Sequence, residues 1–187
     1  MINLPIIHKR NHFRLTLLVV FLGLSSSIFA QDYPQSYFKF PIKPGQQGYL
    51  AGTFGELRSN HFHSGIDIKT GGREGLNVYA AADGYVSRIK IQVHGYGKAI
   101  YIDHPNGYTT VYAHLKNYNP TIDSIIKATQ YQNKSYEVNY FPPKGSIKIK
   151  KGDVIAQSGN TGGSMGPHLH FEISNSKHEQ TNPLALE

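Results

Sequence analysis

The tightest constraint on this chain lies in residues 168–173, which read His-Leu-His-Phe-Glu-Ile. In a strand, alternate side chains share a face. Leu169, Phe171 and Ile173 then form an apolar stripe suited to a core. His168, His170 and Glu172 project from the other face, with the two imidazoles ~6.6 Å apart along the strand. Core packing does not need two histidines there. Taken alone, the pair also fits a chance His-x-His on an exposed face.

The surrounding sequence is mostly β in character. Residues 78–82 form a short apolar run ending in the Asp83-Gly84 turn. Residues 85–92 alternate, and 99–103 form another apolar run. Asn106-Gly107 marks a hairpin, with 108–115 as the returning strand. Runs at 146–150, 153–158 and 168–173 complete the set. Short strands with Gly-rich turns predict an all-β fold, an antiparallel sandwich or partly open barrel. One insertion, about 117–145, breaks the pattern. Asn119-Pro120 offers a cap and a first turn for a short helix over 121–130, with Ile122, Ile125 and Ile126 on one face. Residues 135–141 of the same insertion suit an extra strand.

Ten histidines occur. His8 and His12 fall in an N-terminal leader. His94, His104 and His178 sit among Gly, Pro or polar residues and are expected at the surface. His61, His63, His114, His168 and His170 remain. His63-Ser64-Gly65-Ile66-Asp67 supplies an imidazole and a carboxylate, and Gly65 is expected to allow a tight backbone bend that makes them converge. Imidazole nitrogen and carboxylate oxygen are ordinary zinc ligands. Two histidines and one carboxylate leave a fourth position open, the pattern of a catalytic site. Either member of the 168/170 pair satisfies that count. His114 ends the strand Val111-Tyr112-Ala113-His114-Leu115, where alternation places it on one face with Tyr108, Thr110 and Tyr112. The Gly-rich loop at 159–166 runs straight into the histidine pair. It lacks the lysine of a phosphate-binding loop and is better suited to wall a groove.

Together, His63-x-x-x-Asp67, Tyr112-Ala113-His114-Leu115, Ser158-Gly159-Asn160-Thr161-Gly162 and Gly166-Pro167-His168-Leu169-His170-Phe171-Glu172 resemble the lysostaphin-type zinc endopeptidases, over roughly residues 48–173. The resemblance implies an antiparallel β fold with a long cleft and one zinc ion per chain at its floor. It implies His63, Asp67 and His170 as ligands and His114 and His168 as catalytic histidines, with His61 left as a surface neighbour. Spacing does not choose between His168 and His170; the family pattern does. Members cut stem peptides or cross-bridges of peptidoglycan, the substrate expected here. Tyr112 and Asn160 are candidates for substrate contact, although Tyr112 equally suits ordinary β packing. The insertion is longer than in compact relatives and is placed to reshape the cleft.

Three alternatives follow. A catalytically silent relative that binds the wall or activates other hydrolases should lack one of the five groups, and all are present. A D-Ala-D-Ala peptidase would pair the His/Asp motif with Glu-x-x-His, which does not occur. A sugar- or peptidoglycan-binding module explains the strands but not the five zinc-type residues.

Lys9, Arg10 and Arg14 precede an apolar stretch that ends at Ala30, which reads as a signal peptide over 1–30. An uncleaved anchor is the alternative. Residues 31–48 read as a linker or edge segment and 49–187 as the peptidase domain. The domain is therefore expected in the periplasm, cell envelope or extracellular space, with no membrane span after cleavage and no separate wall-binding domain. There is no cysteine, which excludes a thiol protease and a Cys-ligated zinc. Net charge is +7; without the leader's three positives it is +4, a modest excess that suits an acidic polymer. No run of Lys and Arg is dense enough for nucleic acid.

Overall fold

The computed structural model describes residues 36–43 and 45–186. The expected signal peptide and its cleavage point lie outside the described residues. The strands are β1 (Leu50–Gly52), β2 (Ile66–Lys69), β3 (Asn77–Tyr79), β4 (Gly84–Ile91), β5 (Lys98–Asp103), β6 (Thr109–Ala113) and β7 (Leu115–Tyr118). After helix α1 (Pro120–Asn133) come β8 (Val138–Tyr140), β9 (Lys148–Ile149), β10 (Val154–Ser158), β11 (His168–Ser174) and β12 (Gln180–Thr181). A 3-10 turn at Pro183–Ala185 follows. Two antiparallel sheets result. The larger runs β1-β2-β11-β6-β5-β4-β8, with β12 on β11 and β9 on β4; the smaller runs β3-β10-β7. Among the described residues there is no closed barrel, so the fold is the expected all-β type in its two-sheet form.

The large sheet has a dry face and a polar face, and register decides which side chain goes where. Pairings Leu169↔Ile68, Phe171↔Tyr112 and Ile100↔Tyr112 put those residues on one face. All of them are buried, as are Val78 of β3, Leu115 of β7 and Ile155 of β10 in the smaller sheet. Tyr112 ties the layers together: its hydroxyl accepts from Ala81 N at 2.8 Å, just beyond β3. Burial pushes that hydroxyl's pKa up to about 12. Tyr112 is 0% exposed, so it is a core residue, not a substrate contact. A phenol that meets its hydrogen-bonding need inside the protein has no reason to face a groove.

Two further expectations are corrected. His104 is only 5% exposed. Its Nδ1 donates to the Asp83 carbonyl at 2.8 Å, and Nε2 lies 2.8 Å from Thr110 Oγ1, which also hydrogen-bonds the Tyr112 hydroxyl. A polar loop histidine is thus turned inward because partners wait on both ring nitrogens. The expected single strand at 108–115 is two strands, broken at His114, which has φ 56°. β6 belongs to the large sheet and β7 to the small one. His114 is the corner between them, and its left-handed backbone breaks the alternation with Tyr112.

The insertion folds as expected locally. Asn119 Oδ1 caps α1 by accepting from Ile122 N at 3.0 Å, and Ile122 and Ile126 are buried. β8 adds an edge strand to β4. That edge is four strands from β11, and no residue of 117–145 lines the cleft described below. The insertion extends the sheet at that edge, where Glu137 accepts from Val93 N at 2.9 Å. Among the described residues no helix is long and apolar enough to cross a membrane.

Candidate metal centre

β2 and β11 lie side by side with Asp67 opposite His170 and Lys69 opposite His168. The sheet ladder therefore sets the carboxylate beside one imidazole. His63 arrives from the loop before β2 through the Ser64-Gly65 bend. A Cβ at Gly65 would lie 2.2 Å from the Phe171 carbonyl oxygen. Gly65 is not among the residues at positive φ, so it serves close approach to β11 and not the unusual bend expected of it.

Three donor atoms meet. His63 Nε2 and His170 Nδ1 are 3.0 Å apart. Asp67 Oδ1 is 3.1 Å from the first and 2.9 Å from the second. Tetrahedral zinc with bonds of about 2.0–2.1 Å places its ligand atoms about 3.3–3.4 Å apart. The observed triangle is a few tenths of an ångström tighter, a fit that small rotations of the side chains complete.

The outer partners fix which nitrogen carries each proton. His63 Nδ1 faces the Thr53 carbonyl at 2.8 Å, and His170 Nε2 faces the Glu172 carboxylate at 2.8 Å. Both partners only accept, so both outer nitrogens must be N–H. With the rings neutral, as cation binding requires, the inner nitrogens and Asp67 Oδ1 present lone pairs to one point. Such a cluster is matched by a cation. His114 and His168 follow the same rule. His114 Nδ1 donates to the Thr161 carbonyl and His168 Nδ1 to the Gly166 carbonyl, each at 2.8 Å. His168 Nε2 is 3.5 Å from Asp67 Oδ1. The His114 ring lies 4.7 Å from that of His168 and 5.9 Å from that of His170, centre to centre.

Electrostatics agree with the geometry. Burial alone would raise the Asp67 pKa, but hydrogen bonds from His168, His170 and His63 outweigh it and hold the carboxyl far below its ordinary range. Burial pulls His170 down, yet its bonds to Asp67 and Glu172 win and raise it to about 9; without a cation this ring holds a second proton, on the nitrogen facing Asp67, which a bound cation would displace. Glu172 is likewise driven up by burial and, on balance, lowered by His170. His114 goes the other way. Burial, only partly offset by Thr161, lowers it to about 4, so it is a neutral base at ordinary pH.

An open cleft of about 700 Å³ contains His63, Asp67, His114, His168 and His170. Segments 58–64, 95–96 and 163–167 contribute to its lining. His61 is exposed at the rim and bonds Asn60. Asn160 is exposed and does not line the cleft; the Gly-rich loop turns residues 163–167 toward it instead. Three contributors escaped sequence reasoning. Glu172 was on the right face by alternation, and its role as partner of His170 follows from that placement. Tyr96, whose hydroxyl donates to Glu172 and whose ring stacks on His170, and Arg58, which donates to Asp67, carry no local signal.

Fold and site together define a two-sheet all-β protein with a two-histidine, one-carboxylate metal-type centre in an open cleft. The family model described as peptidase family M23 matches residues 61–132 and 129–183; the chain belongs to this family. It is 31% identical over 152 residues to the DD-carboxypeptidase/endopeptidase Mpg of Neisseria meningitidis, covering 79% of this chain and 29% of that protein. It is 32% identical over 151 residues to the murein hydrolase activator NlpD of Escherichia coli, covering 81% and 31%. The chain thus spans less than a third of the length of these curated relatives. The catalytic domain of the antimicrobial peptidase lysostaphin from Staphylococcus simulans superposes with TM-score 0.52 at 24% identity, covering 75% of this chain and 90% of that one. That likeness is one of fold.

Proposed function

We propose that this chain is an exported zinc endopeptidase that hydrolyses peptide bonds in the stem peptides or cross-bridges of peptidoglycan. One observation carries the reading. Four imidazoles in one open cleft each have one nitrogen held by a carbonyl or carboxylate, and the other nitrogens of His63, His168 and His170 lie within 3.5 Å of Asp67 Oδ1. A binding module has no use for that many aimed lone pairs. In this reading residues 1–30 are a removed signal peptide, 31–48 a linker or edge segment, whose Ile42 bridges Val78 of β3, and 49–187 the catalytic domain. The wall-related names of the two curated relatives support the substrate class.

His63, Asp67 and His170 would hold the zinc. Zinc, when bound, would polarise the scissile carbonyl and bring a water's pKa toward ~7. His114 Nε2 is available to take a proton, because burial keeps the ring neutral. His168 presents Nε2 on the same side as Asp67 Oδ1; with a proton there as well as on Nδ1, it would donate to developing negative charge. The Thr161 and Gly166 carbonyls keep a proton on each Nδ1 and so leave each Nε2 for the chemistry.

The likeness to NlpD supports a second reading, in which the chain acts through other wall hydrolases. Incubation of the purified, zinc-loaded protein with isolated sacculi separates the two. Mass spectrometry should find new peptide termini released by this protein alone. His114→Ala and His168→Ala should keep about one zinc and release little. No fragments from the parent protein, with zinc fully bound, would favour the activator.

A further inference from the structure

We infer that Arg58 is a positioning residue that commits Asp67 to one-oxygen ligation. This rests on the metal part of the proposed function. The two carboxylate oxygens of Asp67 face different partners. Oδ1 lies in the donor triangle with His63 and His170. Oδ2 accepts from Arg58 Nη2 at 2.7 Å. A carboxylate offers a cation either one oxygen or both, and a second oxygen would fill a position that water or substrate needs. The guanidinium engages Oδ2 and removes that option. It does so with a charge-assisted hydrogen bond, the stronger kind.

Two further features support a role at Asp67 specifically. β1 pairs with β2 so that Gly52 sits opposite Asp67. A Cβ at Gly52 would lie 2.3 Å from Arg58 Nη2 and 2.6 Å from Asp67 Oδ2. The contact therefore exists because residue 52 has no side chain. The Arg58 Nε–H, moreover, is buried with no partner among the described residues. A buried donor left unpaired costs free energy, so loop stability alone is a poor account of an arginine here. Glu56 Oε2, 3.7 Å from the same Nη2, adds a second acidic neighbour. β1, the loop after it and β2 thus converge on one carboxylate oxygen.

The test uses the full chain, metal-loaded, and reads the metal directly. Zinc affinity is measured by chelator competition, and coordination number by the visible spectrum of the cobalt(II)-substituted protein. Four-coordinate cobalt absorbs more strongly than five-coordinate cobalt. Arg58→Ala should weaken metal affinity about 10–100-fold, the usual loss when an outer partner of a ligand is removed. Its cobalt band should also lose intensity as Oδ2 swings in. Gly52→Ala, which wedges the pair apart with Arg58 present, should do the same. The double variant should be no worse than the poorer single one, because both remove one interaction. Parent-like affinity and spectrum in Arg58→Ala, or additive losses in the double variant, would overturn the inference alone. A parent protein that takes up neither zinc nor cobalt would overturn the metal reading with it.

Discussion

Replacing Tyr112 by Phe removes one oxygen and nothing else, and the two layers of the fold meet at that oxygen. The hydroxyl accepts from Ala81 N at 2.8 Å and hydrogen-bonds Thr110 Oγ1 at 3.1 Å. Ala81, Thr110 and Tyr112 are each 0% exposed, so solvent does not replace what is lost. A buried N–H left without a partner costs about 1–3 kcal/mol. Taking about 2 kcal/mol, and a urea dependence of about 2 kcal/mol per molar for a domain this small, the unfolding midpoint should fall by about 1 M. The corresponding drop in Tm is about 4–8 °C for a domain of roughly 150 residues. The assay is urea unfolding of zinc-loaded parent and variant, beside KM on a soluble wall peptide. Zinc content and KM should be unchanged. An unchanged midpoint with a raised KM would put the hydroxyl in the substrate groove and refute the packing account.

Two other perturbations test the same physical reading. His114→Ala and His114→Gly both delete the imidazole, but alanine keeps a Cβ at φ 56°, where a side chain costs about 1–2 kcal/mol; the glycine variant should be the more stable by about 1 kcal/mol in urea unfolding, the reverse of the usual order in strands, and alanine equal or better would deny the strain. His104 has its pKa lowered from 6.5, mainly by burial. Above pH 6.5 it is neutral folded or unfolded. Below that the unfolded chain binds the proton first, so stability falls as pH drops toward the folded value. The parent's urea midpoint should therefore decline between pH 7 and pH 5 more steeply than that of His104→Gln, and parallel profiles would remove His104 from the account.

Much of this could be read from the sequence where one rule governed. The alternation of β11 separated Leu169, Phe171 and Ile173 from His168, His170 and Glu172, because that strand is continuous and has one dry face. The Asn119 cap and Pro120 marked α1 for equally local reasons. The same alternation failed at Tyr112 and His114, because it assumes an unbroken strand and His114 is where the chain changes sheets. Short β1 and β2 were not seen as strands: three and four residues are too few to show a period. The acceptors that set the histidine tautomers at His63, His114 and His168 are the backbone carbonyls of Thr53, Thr161 and Gly166 respectively. Any residue supplies a carbonyl, so only the folded chain reveals which ones are used. His104 and Arg58 were missed for a related reason, since their partners lie across a turn or loop, beyond the reach of any local period.

The corner at His114 has a consequence for how the site responds to change elsewhere. His168 and His170 ride on β11, inside one layer. His114 is the link through which that layer hands the chain to the other, so its ring is aimed by the spacing and angle between layers. The separation of His114 from His168 is then a gauge of the interlayer core. Substitutions at Ile155 or Leu115, whose side chains do not line the cleft, should retune the chemistry by altering that gauge while the donor triangle of His63, Asp67 and His170 stays intact.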